Sequence, residues 1–323
     1  MVKILVLEET PLGKKVLEHY TEEDIVRYKM TRFKDGELFI ELEEPVRGDD
    51  VMVIGSICEP VNENLVKFLI CIDTLKRSSA KSINLIIPYL GYSRQDRKTK
   101  PWQPISAKLI ADLLQTAGAT RLTTCDLHAR QIEGFYDIQI DNIPIQLILG
   151  NRWNKMTRNY PEFNTDDYVV VSPDHGGVTR AREFMLQSGI KNLVIINKIR
   201  EKANQVESMQ VLGDAKGKTA IIIDDLVDTG GTLMRASTEL KKQGAKAVYI
   251  YCTHGVLSAD AIEKISACEA IDKLFITNTI DKSDKLINDR INYVDISDII
   301  NGIIDAFTKS KDIYNYIMEE ILH

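Results

Sequence analysis

The sequence predicts an α/β protein built of two tandem domains, each a mostly parallel sheet flanked by helices, and three observations carry that prediction. Short β-rich apolar runs recur at residues 3–7, 51–57, 83–87, 121–125, 168–171, 193–197 and 220–223, with helical patterns between many of them. Runs of this kind belong to parallel strands buried on both faces, whereas a half-exposed strand alternates apolar with polar. Gly118-Ala119 leads through a strand to His128, and Gly244-Ala245 leads through another to His254 at the same spacing, so the halves look like copies. Several runs also end in acidic or polar residues, where open α/β sheets place ligands.

Length and composition fit this architecture. The 323 residues suffice for two domains with separate cores, and 44% apolar with 27% charged excludes a disordered chain. A net charge of −6 argues against broad affinity for nucleic acid or membrane surfaces, so basic clusters read as local sites for small anions. The five cysteines are odd in number and widely spaced, without a Cys-x-x-Cys, and read as reduced core thiols. The opening residues are too short an apolar stretch for a signal sequence and no later run approaches membrane-spanning length, which predicts a cytoplasmic protein.

Taken in order, residues 3–7 read as a strand and Thr10-Pro11 as a helix start, since proline is tolerated in a first turn. Arg32-Phe33-Lys34-Asp35-Gly36-Glu37 reads as a hairpin turning at Asp35-Gly36. Asn62 is placed as the cap of a helix carrying Leu65, Phe68, Leu69, Ile72 and Leu75 at helical spacing. The run 83–87 empties into a loop containing Arg94-Gln95-Asp96-Arg97-Lys98. That loop is either a solvated face or, given its position after a buried strand and the tyrosines beside it, a nucleotide-phosphate site. A helix over 104–117 puts Ile105, Leu109, Leu113 and Ala117 on one stripe and stops at Gly118. His128, just past the strand 121–125, is a hydrogen-bonded structural residue or a ligand.

Residues 150–167, polar with Asn, Arg and Pro, mark a boundary region, and we place the domains at 1–148 and 149–323, a division that allows the last helix to pack back on the first domain. The second opens with the strand 168–171 and Ser172-Pro173-Asp174-His175-Gly176-Gly177, another acid at a strand end. A helix over 178–187 and a strand over 193–197 lead to Lys198-Ile199-Arg200-Glu201-Lys202, which lacks apolar periodicity and is expected to form a loop. It is either solvated charge or a cationic flap that closes over polyphosphate.

The run 220–223 is followed at once by Asp224 and Asp225, then by Asp228-Thr229-Gly230-Gly231-Thr232 and a helical pattern with Leu233, Ala236 and Leu240 on one face. Backbone N–H groups freed by the glycines, with the positive end of the helix, suit a phosphate monoester, while the acids suit sugar hydroxyls or magnesium. The bland alternative is an ordinary strand-to-helix turn with a capping threonine. The whole string resembles the phosphoribosyl-diphosphate loop of the type I phosphoribosyltransferase fold.

Arg32 to Glu37, Asn62-Glu63-Asn64-Leu65, Gly91 to Arg97, Asp126-Leu127-His128-Ala129 and Ser172-Pro173-Asp174 join that loop in an order that resembles the ribose-phosphate diphosphokinase family nearly end to end. The resemblance implies two phosphoribosyltransferase-like domains of type I, with ATP on the first and ribose 5-phosphate on the second. It assigns Phe33, Asp35 and Glu37 to adenine, reaching into a neighbouring subunit's site. Arg94, Gln95, Asp96 and Arg97 fall to the nucleotide's ribose and phosphates, with His128 also on the ATP side. It implies Mg2+ at His128 and Asp174, with a second magnesium near Asp224 and Asp225. Asp224, Asp225 and Asp228 to Thr232 fall to ribose 5-phosphate, and Lys198 and Arg200 to catalysis. It further implies a homo-oligomer, a hexamer, with phosphate and ADP as regulators near Arg47, Ser78, Ser79 and the tail. The chain departs from the pattern at Ile199, near Lys202 and in the tail 318–323.

Overall fold

The structure, a computed structural model, describes residues 1–160, 163–199, 208–285 and 289–321. The first part of the chain forms β1 (Val2–Val6), α1 (Pro11–Leu17), β2 (Tyr28–Arg32), β3 (Leu38–Leu42), β4 (Asp50–Ile54) and α2 (Val61–Arg77). It continues through β5 (Ser82–Ile87), α3 (Ser106–Ala117), β6 (Arg121–Cys125) and β7 (Gln139–Ile143). The second part forms α4 (Ile145–Thr157), β8 (Tyr168–Ser172), α5 (Val178–Ser188), β9 (Leu193–Ile199), β10 (Ser208–Leu212), β11 (Thr219–Val227) and α6 (Gly231–Lys242). After these come β12 (Ala247–Gly255), α7 (Ala261–Ala267), β13 (Lys273–Thr277) and β14 (Ile291–Val294), and then α8 (Ser297–Thr308) and α9 (Ile313–Tyr316). By contact the chain divides into one unit of Met1–Ile143 with Thr279–Asp281 and Asp295–Glu320, and a second of Pro144–Asn278 with Lys282–Val294 and Ile321–His323.

In the first unit the apolar runs become a parallel sheet of order β1-β4-β5-β6-β7, with β2 and β3 a separate antiparallel hairpin. Thr10 caps α1 by accepting the Gly13 N–H at 3.1 Å with Pro11 in the first turn, and Gly118 ends α3 at φ 131°, both as the sequence predicts. Leu65, Phe68, Ile72 and Leu75 of α2 are buried, but Asn62 is not its cap. The helix starts at Val61 behind an extended Pro60, and the Asn62 side chain accepts the Tyr92 hydroxyl instead. On α3 the predicted stripe faces outward: Ile105, Leu109 and Leu113 are exposed, while Ala107, Ile110, Ala111 and Leu114 enter the core. Small residues allow that second stripe to lie close to the sheet, and apolar spacing alone does not reveal which of two adjacent stripes turns inward.

In the second unit the order is β10-β9-β8-β11-β12-β13-β14, antiparallel at β10–β9 and parallel elsewhere. Residues 150–157, expected as a polar connection, are the greater part of α4. Gly150 is there for packing: a Cβ would meet the Phe184 carbonyl of α5 at 2.5 Å, and Trp153 stacks edge-on against Phe163 and Tyr168. Lys198 and Ile199, expected to open a loop, end β9, where Lys198 is registered against Met209 of β10. Strand pairing with β10, which the sequence pattern does not announce, extends β9 by two residues.

The chain then returns to the first unit. Ile299, Ile300, Ile303 and Ile304 of α8 are buried, Lys15 of α1 pairs with Asp295 at 2.6 Å, and the Tyr316 ring lies over Gly302. The five cysteines are free thiols, and among the described residues no helix is long and apolar enough to cross a membrane.

Candidate active site

The sheet order of the second unit reverses at β8, whose neighbours β9 and β11 both follow it in sequence. Such a reversal leaves a crevice at the carboxyl ends of the two central strands. Asp174 follows β8, and Asp224 and Asp225 lie near the end of β11, so the sequence-predicted acids of this half converge on that crevice.

β11 positions its acids by burying Ala220 to Ile223 completely. Asp224 Oδ1 accepts the N–H of Asp225 at 2.9 Å, and the two carboxylates share one guanidinium: Arg180 Nη1 is 3.4 Å from Asp225 Oδ1 and 3.8 Å from Asp224 Oδ1. Burial, then the charge of Asp225 and the hydrogen bond with it, push the Asp224 carboxyl well above the usual carboxylate range; Arg180 pulls it down and Asp174 adds to the rise.

Asp174 is fixed by its own turn, its Oδ1 accepting the Gly177 N–H at 3.0 Å while Ser172 Oγ donates to its carbonyl at 2.6 Å. Arg180 is a site residue that the sequence reading missed. Its signal was a cation in the first turn of a helix, where the dipole disfavours positive charge, six residues after a strand-end acid.

Beyond the acids the chain turns into α6 through Gly230, held at φ +74°, a left-handed conformation that other residues enter with strain. Gly230 at the cap position has no side chain to offer, so the first N–H groups of α6 are left to other partners. Thr229 is exposed and Asp228, Gly231 and Thr232 are half-buried, leaving the turn open to solvent. Leu233, Ala236 and Leu240 are buried as predicted.

In the first unit the loops after β5 and β6 are tied together, Gln131 Nε2 donating to Asp96 Oδ2 at 3.0 Å and the Cys125 N–H to the Pro88 carbonyl at 3.3 Å. Asp96 is buried in that contact, while Arg94, Gln95, Arg97 and His128 are exposed around it. Gln95 accepts the Ser106 hydroxyl at 2.7 Å, and Tyr92 takes φ +65° in the turn that presents the arginines. The β2–β3 hairpin turns at Gly36, with Phe33, Asp35 and Glu37 all exposed and Asp35 Oδ1 accepting the Glu37 N–H at 3.2 Å. Lys198 has its backbone at the end of β9; Arg200, Lys202 and the last two residues of the tail lie outside the described residues.

Among the described residues no group of three or more His, Cys, Asp and Glu side chains forms a cage for a metal ion. Asp174, Asp224 and Asp225 present carboxylate oxygens, a donor type that hard cations take.

Residues 2–118 match the family described as the N-terminal domain of ribose phosphate pyrophosphokinase, and residues 168–316 match the phosphoribosyl synthetase-associated domain. The chain is 45% identical over 304 residues to the ribose-phosphate pyrophosphokinase of Oceanobacillus iheyensis, covering 94% of this chain and 93% of that one. The chain belongs to the ribose-phosphate pyrophosphokinase family. The enzyme of that name from Bacillus subtilis is 47% identical over 280 residues, 86% of this chain and 85% of its own. The crystal structure of phosphoribosylpyrophosphate synthetase from Mycobacterium smegmatis superposes with a TM-score of 0.86 at 36% identity, covering 96% of this chain and 99% of that one. A ribose-phosphate pyrophosphokinase has two phosphoribosyltransferase-like domains to account for, and the two parallel sheets correspond to them.

Proposed function

We propose that the chain transfers the diphosphoryl group of MgATP to the C1 hydroxyl of ribose 5-phosphate, giving 5-phosphoribosyl 1-diphosphate and AMP. The observation that carries this reading is the acidic pair Asp224–Asp225 beside the solvent-open Gly230–Gly231 turn that starts α6, in a chain of this family. The acids receive sugar hydroxyls, and the backbone N–H groups of the turn with the positive end of α6 receive the 5-phosphate.

Arg94, Gln95, Asp96 and Arg97 hold the nucleotide, and Phe33, Asp35 and Glu37 its adenine. The C1 oxygen attacks the β-phosphorus, the bond from that phosphorus to the oxygen bridging to the α-phosphorus breaks, AMP leaves with that oxygen, and the C1 hydroxyl proton is lost. In-line placement and neutralisation of spreading charge do most of the work in such a transfer. Lys198 and Arg200 supply that neutralisation. His128 and Asp174 would hold the Mg2+ that accompanies ATP, with Asp224 and Asp225 near a second, and the ion's chemistry is to offset phosphate charge.

The same reading divides the chain into a nucleotide part, 1–148, and a sugar-phosphate part, 149–323. It includes a homo-hexamer, phosphate and ADP as regulators, and the cytoplasm, with five free thiols in support of a reducing compartment. The test is AMP formation from MgATP that depends on ribose 5-phosphate, with and without phosphate and ADP. Absence of ribose-dependent AMP would refute the assignment. For Lys198→Ala, turnover should fall by about 10²–10³ or more with KM values near the parent's. A rate within a few-fold of the parent would remove Lys198 from the mechanism.

A further inference from the structure

Gln146 is completely buried in the first turn of α4, inside the apolar sequence Ile145 to Leu149. Its Nε2 donates to the main-chain carbonyl of Asp224 at 3.0 Å and to Thr253 Oγ1 of β12 at 2.9 Å, while its Oε1 has no hydrogen-bond partner. An amide buried with half of its capacity unused is a cost that packing alone would remove by substituting an apolar side chain.

The carbonyl that Gln146 holds belongs to the peptide group joining Asp224 to Asp225. The N–H of that same group donates to Asp224 Oδ1 at 2.9 Å. The peptide plane is therefore gripped from opposite sides, by Gln146 at its oxygen and by the Asp224 carboxylate at its hydrogen. Its rotation would turn both carboxylates at once, because Asp225 leaves the plane at one end and Asp224 at the other. The strand around it offers less restraint than elsewhere. The register of β11 with β8 ends at Ile222↔Val171, and past that point only the register with β12 continues, through Asp224↔Cys252 and Leu226↔His254. Thr253, the other anchor, is itself fixed where its carbonyl accepts Thr277 Oγ1 of β13 at 2.6 Å.

We infer that Gln146 is a positioning residue for the ribose end of the site, setting the direction of Asp224 and Asp225 through the peptide plane between them. This rests on the reading of those two acids as sugar-hydroxyl ligands. Its effect falls on ribose 5-phosphate and leaves MgATP alone, because the residues proposed to hold the nucleotide are carried by other loops.

The test is Gln146→Met, which preserves length and volume and removes both donors, set beside Thr253→Val, which leaves the bond to Asp224 in place. Steady-state kinetics are run with each substrate varied, and melting is followed in parallel. For Gln146→Met the expected result is a KM for ribose 5-phosphate raised about tenfold, the equivalent of one well-placed hydrogen bond. The KM for MgATP should stay within about twofold of the parent and melting should remain cooperative, and Thr253→Val should raise the ribose 5-phosphate KM by no more than about threefold. The inference is overturned if Gln146→Met leaves the ribose 5-phosphate KM unchanged, raises both KM values in parallel, fails to melt cooperatively, or is matched by Thr253→Val. A parent protein with no ribose-dependent AMP formation removes the functional reading, and this inference with it. A parent that is active beside an unaffected Gln146→Met removes only the inference.

Discussion

Asp224 is held where its charged form is disfavoured, and the sign of its effect on stability follows from that. A carboxyl whose pKa is raised by folding binds its proton more tightly in the native state, so the stability it contributes is present below the unfolded carboxylate pKa and is lost as pH rises through the folded value. Asp224→Asn should therefore melt at a higher temperature than the parent at neutral pH, with the difference shrinking toward acid pH, while ribose-dependent turnover falls by at least about 10². Thermal melts at pH 5 and pH 7.5 check it; a difference that grew toward acid pH would contradict burial and the Asp225 charge as the origin of the shift. Arg180 acts in the opposite sense. Arg180→Met leaves two acids facing one another without their shared cation, and should cost about 3 kcal/mol at neutral pH, measured by urea unfolding, with partial recovery on acidification. At this scale the acids were legible because two charged residues at the end of an apolar strand contradict the pattern around them. Arg180 and Gln146 were not, since each becomes functional only through a strand about 45 and 80 residues away in sequence, and one-dimensional spacing carries no such contact.

At the scale of elements, the turn between β11 and α6 depends on Gly230 for two separate reasons. Its φ of +74° disfavours any side chain, and a Cβ there would come within 2.9 Å of Cδ1 and Cγ1 of Ile265 on α7. Gly230→Ala should lower stability by about 1–2 kcal/mol and raise the KM for ribose 5-phosphate by about an order of magnitude, because displacing the turn moves the N–H groups proposed to hold its phosphate. Adding Ile265→Val relieves the steric part, so the double variant should recover some stability relative to the sum of the singles, while a wholly additive result would leave the backbone as the sole cause. Element types were read well where local chemistry decides them: Thr10 with Pro11 starts α1, Gly118 stops α3, and Asp35-Gly36 turns the hairpin. The readings that failed were decided by neighbours. Asn62 lost its capping role to Pro60 and the Tyr92 hydroxyl, the inward face of α3 was chosen by the sheet beneath it, and β9 runs on to Ile199 because β10 pairs with it.

At the scale of the molecule, alternating strand and helix patterns predict parallel sheets but leave strand order open. The first sheet follows chain order and the second reverses at β8, which is where Asp174, Asp224 and Asp225 gather. Residues 295–320 fall in the unit formed by the first 143. There α8 buries Ile299, Ile300, Ile303 and Ile304, Asp295 pairs with Lys15, and Arg121 lies 5.9 Å from the centre of the Phe307 ring. At about 2 kcal/mol for each buried isoleucine, those four side chains alone represent about 8 kcal/mol, comparable with the whole net stability of an ordinary domain. A fragment ending at Ile143 should therefore lack a cooperative melt and bind hydrophobic dye, and co-expression with a 295–321 peptide should restore a single transition. Within the full chain, Ile303→Ala should destabilise by about 2–4 kcal/mol, well beyond the loss of transfer energy alone, because the surrounding side chains relax only partly into the space. A 1–143 fragment that melts cooperatively on its own would show that α8 covers the first unit without completing its core, and the cost of Ile303→Ala would then be confined to fraying of the C-terminal helices.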